Sequence, residues 1–198
     1  HSLAFCLALE SLSDMTVGEK AGYLRVIFCE LERIANHLGD LGYLGNDVAL
    51  SFGFMQFWRL KEDWLRLTAK YFGHRYLFDC IVPGGVAVDI SDSGKTEFAV
   101  AADRIEAEVR ELKAIYDDQS TLQDRFSNTG ICKPDLAARL GLTGLPGRAS
   151  AQAWDARVQF PQFPYDQLNV NMATNRRGDV LARAEVRFAE VVESLRLI

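Results

Sequence analysis

The stretch that most constrains this chain runs from Gly18 to Asp47, GEKAGYLRVIFCELERIANHLGDLGYLGND, with no proline in it. Its apolar residues Leu24, Ile27, Phe28, Leu31, Ile34, Ala35, Leu38 and Leu41 recur at the period of an α-helix. That spacing predicts one long helix with a wide buried face, against which the rest of the chain must pack. Glu30, Arg33, His37 and Asp40 form a second, narrower stripe, spaced by three or four residues so that neighbours can touch. Two arrangements fit this stripe. One is a solvated face of weak ion pairs, each contributing roughly 0.3–0.5 kcal/mol. The other is a buried polar relay in which burial and neighbouring charges move proton affinities. Periodicity by itself leaves both open.

The flanking segments predict a mainly α fold, a multihelical bundle with short extended segments and irregular loops. His1 to about Leu12 reads as helix, and Thr16 with Glu19 reads as a capping box for the long helix. Leu41 to Gly53 is punctuated by glycine but apolar, so a bend is expected there, with Asp47 as an N-cap or Asx turn. Phe54 to Phe72 predicts a second long helix with an aromatic face, stopped by Gly73. Tyr76 to Val82 reads as a short strand or extended segment before the Pro83-Gly84-Gly85 turn. Asp92 to Asp118 carries Phe98, Ala102, Ile105, Val109, Leu112 and Tyr116 alternating at four and three, a seam for nearly parallel helix packing. Short helices are expected over Thr121–Asn128 and from Pro134 to Leu140, then irregular structure from Gly141 to Gln167. Asn171 to Arg177 reads as polar and mobile, and Asp179 as the cap of a last helix.

Composition excludes several classes. The chain has 198 residues, enough for one sizeable core, and no internal repeat, so residues 1–198 read as a single helical domain. A net charge of −5 with both signs interspersed and no basic cluster argues against nucleic acid and anionic membrane surfaces. No apolar run approaches the ~20 residues of a membrane helix. Cys6, Cys29, Cys80 and Cys132 include no Cys-x-x-Cys pair and read as reduced thiols. Both ends fall inside apolar helical patterns, so the chain is expected to be part of a longer subunit.

Five blocks in register carry a family resemblance. They are His1-Ser2-Leu3-Ala4, Glu30 to Leu38 (ELERIANHL), Val82-Pro83-Gly84-Gly85-Val86, Gly144 to Ser150 (GLPGRAS), and Gly178-Asp179-Val180 with Arg183, Arg187, Glu190 and Ser194. Together they resemble the large subunit of membrane-bound group 4 NiFe hydrogenases, closest to the hydrogenase-4 and formate hydrogenlyase branch. They also resemble the related quinone-site subunit of complex I, the NADH-quinone oxidoreductase. The resemblance covers essentially the whole chain.

It implies an oxidoreductase acting within a parent complex, H2 oxidation and proton reduction being the reaction, with the isolated chain inactive. The family's NiFe centre is held by two Cys-x-x-Cys pairs, soft ligands suited to redox metals. None of the four is present here, so this chain is expected to bind no cofactor itself and to supply scaffold around the site. His1 matches a histidine beside the metal, and Arg33 joins it as a surrounding residue. Asp47 matches an acid near the quinone head in the complex I relatives. His37 and Glu30 lie on the helix behind that region, so these three are the expected proton-handling residues, Asp47 standing equally as a plain cap. The stripe is then expected to be buried and mutually paired. Arg148, Asp155 and Arg157 match a polar block that fixes loop geometry. Ala151 replaces a common glycine, which argues against a positive-φ turn there.

Implied partners are an iron–sulfur small subunit and other subunits of a membrane-bound complex, on the cytoplasmic side of the inner membrane. The alternatives are a metal-free quinone-site subunit of complex I type, or a non-catalytic assembly scaffold. Exposed apolar surface is expected near Phe52-Gly53-Phe54 and the chain ends.

Overall fold

The computed structural model describes residues 1–198 as a helical bundle arranged around one central helix. In chain order the elements are α1 (Ser2–Leu12), α2 (Glu19–Asp47), α3 (Ser51–Phe72), β1 (Ile81–Val82), β2 (Gly85–Val86), α4 (Asp92–Asp118), α5 (Ser120–Phe126), α6 (Pro134–Arg139), α7 (Gly144–Ala149), α8 (Ala156–Gln159) and α9 (Val180–Leu197). The two strands form an antiparallel hairpin across the Pro83-Gly84 turn, with Ile81 opposite Val86.

The long helix is the core. α3 lies along one side of α2 and α9 along another, and α4 closes the bundle against both α3 and α9. Leu24, Phe28, Leu31, Ile34, Ala35, Leu38 and Leu41 are all buried, as the apolar period predicts. Complete burial of one such leucine contributes about 1.5–3 kcal/mol. The α4 seam is equally faithful: Phe98, Ala102, Ile105, Val109, Leu112 and Tyr116 are all in the core. Trp64 of α3 is buried and satisfies its indole by donating Nε1–H to the Leu31 carbonyl at 3.1 Å.

Tyr116 joins α4 to the end of α2. Its hydroxyl donates to the Leu41 carbonyl at 2.9 Å. The ring slots between Gly45 and Gly53, and a Cβ at Gly53 would lie only 2.6 Å from the hydroxyl. Glycine is needed there for close approach rather than for a special φ.

Several expectations are corrected. Thr16 does not cap α2; Gly18, in extended conformation, is the N-cap and forms no side-chain cap bond. The helix therefore begins past the reach of the threonine hydroxyl. α2 runs unbroken through Gly39, Gly42 and Gly45, and the reversal is confined to Val48–Leu50. Asp47 is the last residue of α2, exposed, and caps neither helix, because Leu50 is the N-cap of α3. The expected strand over Tyr76–Val82 shrinks to Ile81–Val82. The 141–167 segment contains the short helices α7 and α8. Ala151 has φ 65, so the positive-φ turn is kept without glycine, and its N–H donates to Asn175 O at 2.7 Å.

Other boundaries follow their chemistry. Gly73 ends α3 with φ 79, and Asp179 caps α9 by accepting from Ala182 N at 2.8 Å. The 171–177 segment is tied down: Asn171 N and Nδ2 donate to Glu193, and Asn175 Nδ2 donates to Glu185. Apolar surface is uncovered near Phe52, with Phe52 48% and Met55 66% exposed, and at Phe5 and Leu12 near the start, whereas Leu197 and Ile198 at the other end are half-buried.

Candidate functional site: a charge-balanced buried cluster

Where α2 meets α9, α7 and α8, the bundle encloses ionisable side chains instead of hydrocarbon. Glu30 is completely buried. It accepts from Arg157 Nη1 at 3.2 and 3.1 Å, from Tyr165 Oη at 2.5 Å and from Ser194 Oγ at 2.6 Å. Arg33 Nε adds a contact at 3.5 Å. Arg157 in turn grips Asp155 through Nε at 3.1 Å and Nη2 at 2.8 Å. The guanidinium thus bridges two acids that sequence separates by more than a hundred residues.

Glu190, one turn of α9 before Ser194, forms the other half. Arg148 donates Nε–H to its Oε1 at 2.5 Å. His37 Nε2 stands 2.9 Å from its Oε2, at hydrogen-bond distance but too far off line to form a good bond. Arg33 Nη1 approaches the same oxygen at 3.9 Å. Glu30, Asp155 and Glu190 are therefore matched by Arg33, Arg148 and Arg157, and His37 is the basic group left over.

Electrostatics follows from this packing. Burial works to raise the Asp155 carboxyl, but the Arg157 bonds outweigh it and hold Asp155 at about 2. For Glu190 burial is likewise the largest influence and raises it, yet His37, Arg148 and Arg33 bring it below the usual glutamate value. Burial lowers His37, partly offset by Glu190, and Arg33 and Arg187 push the same way as burial. His37 is thus a neutral imidazole among compensated ions. Tyr165 is raised by burial and by the Glu30 charge, so its hydroxyl stays a donor.

A second buried pair lies nearer the start of α2. Arg25 donates Nη1–H and Nη2–H to Glu10 of α1 at 3.0 and 2.5 Å. It also donates to the Val82 and Gly85 carbonyls, and Glu10 accepts from Gly84 N at 2.7 Å. This clamp holds α1 and the Pro-Gly-Gly hairpin onto α2. Sequence reasoning missed both residues; the available signal was an arginine set among buried positions of α2.

The expected site residues separate. Glu30, Arg33 and His37 do form one network, and Arg148, Asp155 and Arg157 belong to it rather than only to a loop. Asp40 does not: it is exposed and accepts from Arg187 Nε and Nη2 at 3.1 and 3.0 Å. At 100° per residue, ten residues leave it about 80° round the helix from Glu30. Asp47 is exposed with no side-chain partner, and His1 is exposed at the start of α1. Tyr165 is the member that no periodicity revealed, because it reaches the cluster from irregular chain.

These residues do not fit a soft-thiolate metal centre. No three His, Cys, Asp or Glu side chains converge as metal ligands. The four cysteines are unpaired; Cys6 and Cys80 are buried, and burial, with Glu30, raises Cys29 to about 11. No helix is long and apolar enough to cross a membrane.

The bundle matches a subunit of the membrane-bound sulfane sulfur reductase, an archaeal respiratory membrane complex, with TM-score 0.88 over 95% of this chain and 51% of that one. At 22% identity the likeness shows the fold alone, a mainly helical bundle. The chain belongs to the family described as respiratory-chain NADH dehydrogenase, 49 Kd subunit, which matches residues 47–198. Over its full length it is 33% identical to the carbon monoxide-induced hydrogenase of Rhodospirillum rubrum, covering 55% of that protein. It is 32% identical to NADH-quinone oxidoreductase subunit 4 of Thermus thermophilus, covering 48%. The chain spans about half the length of these curated relatives.

Proposed function

We propose that this chain is the central part of a NiFe-hydrogenase-like large subunit in a membrane-associated redox complex whose reaction is H2 oxidation and proton reduction. The observation that carries this reading is the similarity to a carbon monoxide-induced hydrogenase over the whole of this chain, at 33% identity. The chain's own task is to hold the scaffold and to position protons near the redox site. Any thiolate ligands come from other parts of the subunit, His1 and Arg33 lie around them, and an iron–sulfur subunit delivers electrons. His37, Glu30 and Asp47 handle protons, Asp47 from the exposed end of α2. The complex sits on the cytoplasmic side of the inner membrane, with this chain peripheral to it.

A second reading, a quinone-site subunit of complex I type without metal, is supported by the family match and by the Thermus thermophilus relative. The complete reading frame decides between them. Cys-x-x-Cys pairs on both sides of these 198 residues, with nickel in the purified complex and H2-dependent dye reduction, support the hydrogenase. Absence of either pair removes nickel chemistry and leaves quinone chemistry or scaffolding. Full turnover by an Asp47→Asn complex would count against a proton role for that residue and favour plain scaffolding there.

A further inference from the structure

We propose that His37 and Glu190 are the proton-sharing pair of the buried cluster, and that Glu30 is a fixed anion that positions the groups around them. The proposal rests on the proton-handling reading above for His37 and departs from it for Glu30, which positions the pair without exchanging a proton.

Coordination separates the two glutamates. Both oxygens of Glu30 are occupied, by Arg157, Tyr165 and Ser194, with Arg33 close by. A proton placed there would have to displace a buried donor, which costs the full desolvation of that donor. Glu190 is coordinated on one side only. Its Oε1 is held by Arg148, while Oε2 lies 2.9 Å from His37 Nε2 but off the hydrogen-bond line, and neither atom has a hydrogen-bond partner. The cluster therefore contains one place where donor and acceptor confront each other with nothing else to satisfy them.

Charge gives the same answer. With His37 neutral, three acids face three arginines. The groups around His37 are Arg33 on its own helix, Glu190 and Arg187 on α9, and Arg148 of α7 behind Glu190, with Arg187 itself paired to Asp40. Neutral His37 keeps Nε2–H toward Glu190. Uptake of one proton at Nδ1 gives an imidazolium beside the carboxylate, and the cluster changes from zero to one positive charge. Release from Nδ1 restores the neutral imidazole beside the carboxylate, and no other bond changes. Glu190 is the one neighbour that favours uptake, so it sets the pH at which His37 exchanges.

The test uses the intact complex and the pH dependence of its turnover. His37→Gln should abolish the acid limb of the profile. Glu190→Gln should move that limb about 1–3 pH units lower, the shift expected when a close opposite charge is lost. Glu190→Asp should restore most of it, and the double variant should behave as His37→Gln alone. Glu30→Gln should lower the melting temperature and leave the limb in place. A Glu190→Gln limb at the wild-type position overturns the assignment, as does a limb that moves in Glu30→Gln. If Glu190→Gln does not assemble, Glu190→Asp alone and combined with His37→Gln decides, because an acid limb that survives His37→Gln overturns the assignment. Wild-type profiles in all the variants would instead remove the proton-handling reading itself.

Discussion

Arg157 reaches Glu30 across 127 positions of sequence and closes Nη1 onto both carboxylate oxygens while holding Asp155 with the rest of its guanidinium. This contact ties α8, in a mostly irregular segment, to the middle of the central helix. Its partners are buried, so the contact is governed by desolvation rather than by surface ion pairing.

Removing one side of it should be costly. Arg157→Leu leaves Glu30 and Asp155 buried without their shared cation, and a loss of about 3–5 kcal/mol is expected. Urea unfolding of the purified chain measures it. A change under about 1 kcal/mol would mean that water reaches the cluster.

Stability should fall on acidification in two stages. His37 is lowered in the folded state, so the unfolded chain binds more protons below the ordinary histidine value of 6.5 and folding is disfavoured there. Glu190 and Asp155 are also lowered; their contribution is present above the ordinary carboxylate values and lost as pH drops through the folded ones, near 2 for Asp155. Melting temperatures followed from neutral to acid pH should decline first below about 6.5, and His37→Gln should remove only that first decline.

The Tyr116 slot should resist enlargement. Gly53→Ala places a methyl against the hydroxyl and ring, and overpacking of this kind costs roughly 1–3 kcal/mol. Adding Tyr116→Phe should recover part of the loss by removing the hydroxyl, which a double-mutant cycle would show as coupling.

Ala151 sits at φ 65, where alanine is strained and glycine is not. Ala151→Gly should raise stability by up to about 1 kcal/mol, less the added freedom of the unfolded glycine. A destabilised variant would show that the methyl group contributes packing that outweighs the strain.

Thiol reactivity should be selective. Cys6 and Cys80 are buried, and Cys29 keeps its proton up to about 11. At mildly alkaline pH, iodoacetamide should label Cys132 first, and mass spectrometry of partly labelled protein reads the order directly. Equal labelling of Cys29 would contradict the burial of α2 against its neighbours.

Much of the bundle was legible because helix periodicity is local. The burial of Phe28, Leu38, Ile105 and Val109 follows from spacing along single helices, and Gly73 and Asp179 announce helix ends by their own backbone and side-chain chemistry. The hairpin turn at Pro83-Gly84 was equally plain. Thr16 misled because a capping signal competes with wherever the helix finds its packing, and Gly18 won that competition.

The functional cluster is different in kind. The sequence by itself determined that Glu30, Arg33 and His37 lie near one another on α2, since helical geometry makes residues three and four apart neighbours. It did not determine that Asp40 would turn out to solvent, nor that Glu190, Arg148, Arg157, Tyr165 and Ser194 would converge from elements far along the chain. Only the tertiary structure decided those contacts, because a charged side chain is indifferent to local period. Whether it becomes a solvated ornament or a buried, compensated ion depends on which partner the packing of distant helices places within about 3 Å.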